Sequence, residues 1–249
     1  MKIAVISDIH GNLLALEAVL ADLKAESPDI IVNLGDCVSG PLWPEETGTI
    51  LRETNWPTVR GNHDRYLLDD PVEKMGPTDR FSIERLSSEN LDWLKTTQPV
   101  IRLNDEVFLC HGTPREDDRY LTEKVEGPKG HLPDEDVLLS EIKEESSPVI
   151  CCGHTHIPRL IRLKATGQTI LNPGSVGLPS YEDNHPQRHK MEVGSPHARY
   201  ALMTKTGGNW NFHEKILAYD WDAASREAEK NGRSGWARAL AHGFYGPLS

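Results

Sequence analysis

The chain has 249 residues, 37 % of them hydrophobic, and carries 27 basic against 38 acidic side chains, a formal charge of −11. That is enough chain to bury one sizeable core, while the acidic balance excludes a broad basic face for duplex DNA or RNA. The absence of any apolar run near the ~18 residues of a membrane span argues against a membrane protein.

Taken in order, residues 2–7 read as a buried strand rather than a leader, because Asp8 and His10 interrupt the apolar stretch at once. Asn12 can cap a helix running to about Glu26, with Leu13, Leu16, Leu20 and Leu23 at helical spacing. Ser27-Pro28-Asp29 stops it, and a second buried strand spans 30–34. A short strand is expected over 57–59, then a helix capped by Ser87 or Ser88 that carries Leu91, Trp93 and Leu94. Strands over 106–110 and 149–152 flank an acidic amphipathic helix over 134–145. After Pro158 the period becomes hairpin-like: strands over 159–163 and 169–171, then 200–204 and 210–213 around Gly207-Gly208. Residues 181–199 are polar and interrupt this series, and 220–245 read as two short helices. The whole reads as one domain, with a core over 1–215 and a helical extension over 216–249 packed on it. Cys37, Cys110, Cys151 and Cys152 form no CxxC pair and sit in or beside apolar runs, as core thiols of a cytoplasmic protein would.

The expected strands share a feature. Each runs into polar residues: Asp8 and His10, Gly35-Asp36, Gly61-Asn62-His63-Asp64, His111-Gly112, and Gly153-His154-Thr155-His156. Any one of these is ordinary turn chemistry. Five in sequence, each at a strand end, point to a single site, because ligands of open α/β sheets bind at the carboxyl ends of the strands. Two carboxylates, an amide oxygen and four imidazoles make a mixed oxygen and nitrogen donor set without thiolate. Such a set suits manganese, iron, cobalt, nickel or zinc. Seven donors exceed what one tetrahedral ion uses, so two ions with a shared carboxylate are expected. Two divalent ions, two aspartates and one hydroxide leave a net positive site suited to phosphate, whose ester hydrolysis demands far more than the ~10²–10⁴-fold that acid–base catalysis by one histidine supplies.

In this order the blocks resemble the calcineurin-like metallophosphoesterases. "GDCVSGPLWPEE", "LSSENLDWL", "CHGTPREDDRYL" and "ILNPGSVGLP" are similar to the small bacterial and archaeal phosphodiesterase subgroup, related to YfcE-type and diadenosine-tetraphosphatase-like proteins, over nearly all of residues 1–204. The resemblance implies an α/β fold, a four-layer α/β/β/α sandwich of two mixed β-sheets flanked by helices. It implies two divalent metal ions, manganese foremost: Asp8, His10 and His156 on the first, Asn62, His111 and His154 on the second, with Asp36 bridging. It further implies hydrolysis of a small phosphodiester or phosphomonoester by direct attack of metal-activated water. His63 would act as general acid or phosphoryl stabiliser, with Asp64 supporting it.

Departures narrow this. Where the Ser/Thr protein phosphatases of the superfamily carry Gly-Asp-x-Val-Asp-Arg-Gly, this chain has Ser39 and Gly40, which argues against that activity. The polar segment 181–199 is either a solvated loop or a strap whose His185, Arg188, His189 and His197 grip the substrate. Trp43, after Asp36, is a rim aromatic that could reach a substrate ring. Two other functions remain to be weighed. One is cleavage of a dinucleoside polyphosphate. The other is a silent scaffold like the related retromer subunit, which lacks the histidine equivalent to His63.

Overall fold

Residues 1–246 are described in the structure, a computed structural model; the last three residues of the expected extension, 247–249, lie outside them. In chain order the strands are β1 (Lys2–Ile6), β2 (Ile30–Asn33), β3 (Val100–Asn104), β4 (Val107–Cys110), β5 (Lys124–Glu126), β6 (Lys129–His131), β7 (Val149–Cys151), β8 (Arg159–Arg162), β9 (Thr169–Asn172), β10 (Ser180–Asp183), β11 (His189–Glu192), β12 (Ala198–Thr206) and β13 (Asn209–Leu217). The α-helices are α1 (Leu13–Glu26), α2 (Pro44–Thr54), α3 (Asn62–Asp69), α4 (Pro77–Ile83), α5 (Ser88–Thr96), α6 (Glu135–Ile142), α7 (Trp221–Lys230) and α8 (Ser234–His242).

One sheet has the order β13-β12-β1-β2, with β1 and β2 parallel and the rest antiparallel. A second has the order β3-β4-β7-β9-β8, parallel through β4, β7 and β9 and antiparallel at both edges. Strand alternation makes the layers. In β1, Ile3 and Val5 face Val107 and Leu109 of β4 across the sandwich, together with Val32 and Met203. The intervening Ala4 and Ile6 face Leu16 and Val19 of α1. On the far side, Phe108, Ile150 and Ile170 pack on Leu138 and Ile142 of α6. Each such fully buried aliphatic contributes about 1.5–3 kcal/mol, so a strand that is apolar on both faces fits only between two layers. This is the expected α/β/β/α sandwich of mixed sheets.

Local chemistry explains the helix ends. Asn12 Oδ1 accepts from Ala15 N at 3.2 Å, and Ser27 closes α1 in the left-handed region at φ 49°. Ser87 Oγ accepts from Asn90 N to start α5. Pro44 at the first turn of α2, followed by Glu45 and Glu46, is a start signal that the sequence reading did not use.

Several expectations need correction. The strand over 57–59 is reduced to isolated bridges, Asn33 to Thr58 and Val59 to Gln98. The Gly61-Asn62-His63-Asp64 block is not a turn: Gly61 is an extended N-cap and α3 begins at Asn62. The polar segment 181–199 contains a β-hairpin, β10–β11, which joins β6 and β5 in a third sheet of order β10-β11-β6-β5. The extension folds as α7 and α8, whose Ala224, Ala228, Trp236 and Leu240 pack on Leu42 and Leu178 of the core. All four cysteines are free and buried. Among the described residues no helix is long and apolar enough to cross a membrane.

Candidate metal centre

The parallel strands deliver the polar residues to one end of the sandwich. Asp8 and His10 follow β1, Asp36 follows β2, His111 follows β4, and His154 and His156 follow β7. The backbone there is left-handed at Asp8 (φ 54°), His10 (52°), Asp36 (54°), His154 (66°) and His156 (59°). Among the described residues only two other non-glycine residues share that region, Ser27 and Asn55, and both close helices. Left-handed backbone costs a non-glycine residue roughly 1–2 kcal/mol. Five such residues together mark strain held by the fold for the sake of side-chain direction. Glycine provides the remaining room: a Cβ on Gly61 would lie 2.1 Å from Asp36 Oδ1, and one on Gly153 2.1 Å from Ser7 Oγ.

The donors converge in two groups, Asp8–His10–His156 and Asp36–His111–His154, each with its ligand atoms within 4.8 Å of one another. Asp36 Oδ2 lies 3.3 Å from His111 Nε2 and 3.6 Å from His10 Nε2, so it touches both groups. Asn62 Oδ1 lies 3.0 Å from His111 Nε2.

The histidine tautomers follow from their partners. Nδ1 of His10 faces Ser39 O at 2.7 Å, Nδ1 of His111 faces Leu34 O at 2.7 Å, and Nδ1 of His156 faces Leu178 O at 2.6 Å. A carbonyl only accepts, so each Nδ1 carries its proton and each Nε2 is left to face inward. His10 Nε2 and His156 Nε2 then meet at 3.1 Å, and Asp8 Oδ1 lies 3.3 Å from His156 Nε2. His154 Nε2 is buried with no hydrogen-bond partner. Electron-rich atoms at these distances repel unless a cation lies among them. The donor set therefore fits divalent metal, with backbone carbonyls orienting the imidazoles as the outer partners of metal-bound histidines do.

Charge follows the same lines. Burial pulls His10 down to about 4 and His154 to about 3, holding both neutral. Burial opposes the charge of His111 too, but Asp36 and Asp8 outweigh it and raise its pKa to about 10. Burial would raise Asp36, yet His111 and His63 hold it well below the carboxylate range.

His63 stands beside this cluster. Its Nδ1 lies 2.6 Å from Asp79 Oδ1, and its backbone N donates to Asp36 Oδ1 at 3.0 Å. Burial disfavours its charge, but Asp79 and Asp36 prevail and raise it to about 9. Asp64 is fully buried and faces away from the cavity. Its carboxylate accepts from Asp36 N (2.9 Å), Cys37 N (2.9 Å) and Gly61 N (3.0 Å), which ties two ligand-bearing loops together. Burial and the charge of Asp36 raise its pKa to about 6. It does not line the cavity.

The cluster forms the floor of a cavity of about 1050 Å³. Of the four residues expected to grip substrate, only His185 lines it. Arg188 pairs with Glu182 at 2.6 Å, and buried His189 sits behind Tyr120, its Nε2 3.1 Å from the Tyr120 hydroxyl. His197 packs on Trp221 at 5.0 Å, away from the cavity. Trp43 lines a separate, smaller surface pocket. The walls come instead from residues that sequence reasoning missed: Tyr66, Tyr120, Tyr181, Arg233 and Trp236. Tyr120 packs on the ring of His154 at 4.7 Å and Tyr181 on that of His156 at 4.6 Å, with their hydroxyls 3.1 Å apart. Asp79 was missed as well. No short motif marks these positions, although Tyr120 lies within the quoted stretch "CHGTPREDDRYL".

A two-sheet sandwich with nitrogen and oxygen donors gathered at its strand ends defines the class of metal-dependent hydrolases. Residues 1–193 match the calcineurin-like phosphoesterase superfamily domain, and the chain belongs to that superfamily of metal-dependent phosphoester hydrolases. An uncharacterized protein of Methanocaldococcus jannaschii is 32 % identical over 202 residues, 71 % of this chain and 76 % of that one. The crystal structure of a metallophosphoesterase from Sphaerobacter thermophilus superposes with a TM-score of 0.74 at 26 % identity, over 98 % of this chain and 100 % of that one. A hypothetical protein from Pyrococcus horikoshii shares the fold, with a TM-score of 0.73 at 17 % identity and 98 % of both chains covered.

Proposed function

We propose that the protein is a dimetal phosphoesterase that hydrolyses a small phosphodiester or phosphomonoester. The observation that carries this reading is the inward set of Nε2 and carboxylate atoms: His10 and His156, whose Nδ1 atoms both face backbone carbonyls, bring their Nε2 atoms within 3.1 Å of each other. Asp8, His10 and His156 would hold one ion and Asn62, His111 and His154 the other, with Asp36 between them; manganese is the proposed metal. Bound divalent ions supply Lewis-acid activation of water and neutralise phosphoryl charge. The chain does the rest. Asp79 holds the Nδ1 proton of His63, so Nε2 presents the second proton of an imidazolium to the leaving oxygen. Asp64 keeps the start of α3 in register with the loop that carries Asp36, and Tyr120 and Tyr181 restrict the His154 and His156 rings. Four free buried thiols suit a reducing cytoplasm. His63 favours an enzyme over a silent scaffold.

Purified protein loaded with Mn²⁺, Co²⁺ or Ni²⁺ is expected to cleave bis(p-nitrophenyl) phosphate or p-nitrophenyl phosphate, and chelator to abolish turnover. A protein that binds two ions yet turns over neither these nor a broad panel of mono- and diesters would overturn the reading. The size of the cavity and its aromatic walls favour a second substrate for the same panel, a dinucleoside polyphosphate.

A further inference from the structure

The cavity is lined by three arginine or lysine side chains, Arg119, Lys124 and Arg233. Two are already paired: Arg119 with Glu141 at 2.5 Å and Lys124 with Glu126. Arg233 has no carboxylate within ion-pair distance among the described residues, although the chain is strongly acidic. Its Nη2 donates to Thr78 Oγ1 at 2.5 Å, while its Nη1 is buried without a partner. Asp79, a carboxylate whose charge favours that of Arg233, already accepts from His63 and from Ser39 Oγ at 2.6 Å each. A guanidinium left with an unused buried donor is costly, and its planar fork matches the paired oxygens of phosphate or carboxylate.

Its place relative to the centre is also defined. Thr78 precedes Asp79, which holds His63, and Trp236, three residues after Arg233, packs its ring 5.9 Å from that of His10. The start of α8 therefore borders the His63 side of the centre, where the leaving group departs if His63 is the acid. Residue 233 lies outside the 1–193 segment matched to the family, so this feature belongs to the extension.

We infer that Arg233 is a specificity residue that binds a second anionic group on the leaving-group side, and that the preferred substrate is a phosphoester whose leaving group carries a phosphate or carboxylate. This rests on the phosphoesterase reading above. The test compares phenyl phosphate with its para-carboxylate and para-phosphate derivatives in the wild type, R233Q and R233K, all metal-loaded. The wild type is expected to prefer the anion-bearing substrates in kcat/KM, and R233Q to lower that preference about 10–100-fold. R233K is expected to lower it too, since an ammonium lacks the fork. Whichever derivative shows the larger drop distinguishes phosphate from carboxylate. A preference unchanged in R233Q, or an equal loss on all three substrates, would overturn the assignment. Should R233Q not fold, an unchanged preference in R233K overturns it instead. Calorimetric titration of 1,4-phenylene bisphosphonate, whose C–P bonds are not hydrolysed, into metal-loaded protein gives a readout independent of turnover, with about tenfold or more weakening expected in R233Q. If the wild type hydrolyses none of the three yet R233Q weakens binding, the phosphoesterase reading fails while the anion site stands; equal binding by wild type and R233Q removes the anion site.

Discussion

The floor and the walls of the cavity are built on opposite plans. The floor residues, except Asn62 at the start of α3, stand within a few residues of a strand end; all are almost wholly buried, and five hold a left-handed backbone. The walls are drawn from distant segments: Tyr66 of α3, Tyr120 before β5, Tyr181 of β10, and Arg233 and Trp236 at the start of α8. A metal site demands fixed donor geometry, which strained loops braced by a packed sandwich can supply. A substrate wall needs only shape and a few polar groups, so different surface elements can provide it.

Substitutions can break or sharpen that division. The largest effect is expected at Asp36, which touches both donor groups. Asp36→Ala should lower bound metal below two ions per chain and cut turnover by at least about 10³-fold, measured by metal analysis alongside steady-state kinetics. Next comes His63→Ala, for which a loss of about 10²–10⁴-fold is expected with two ions still bound; loss of metal together with rate would place His63 in the floor. Asp79→Asn should cost about 10-fold. It should also shift the pH profile: Asp79 raises the pKa of His63, so its removal lowers that pKa and activity should disappear at lower pH on the alkaline side. An unmoved alkaline limb would exclude His63 as the acid. The smallest effect belongs to the walls. Tyr181→Phe removes only the hydroxyl that donates to His154 O and should change aryl phosphate turnover by threefold or less, with metal content intact. A Tyr181→Phe protein that loses metal would show that the cap and the floor are one unit.

The floor was legible because its chemistry is local in sequence. Gly153-His154-Thr155-His156 places two imidazoles and the glycine that makes room for them within four residues, and Asp8 with His10 does the same after β1. Even there, sequence chemistry misjudged the backbone. Gly61-Asn62-His63-Asp64 has the composition of a turn, yet Asp64 accepts from Gly61 N and a helix starts at the next residue. The polar stretch 181–199 read as either a solvated loop or a strap, but pairing with β6 through Lys190 and Lys129 makes part of it sheet and sets His189 behind Tyr120, while His197 packs on Trp221.

By itself, then, the sequence determined the main strands and the polar blocks that end them, because burial demands apolar runs of a set period; the layered sandwich and the division of the seven candidate donors between two ions were legible only through the resemblance those blocks carry. Which side chains surround the substrate was decided only in three dimensions. Arg233 and Trp236 sit about 170 residues from His63 along the chain, and only the packing of α7 and α8 on Leu42 and Leu178 brings them to the same cavity. Contacts of that kind arise from the summed burial of many weak partners, and no short stretch of sequence encodes them.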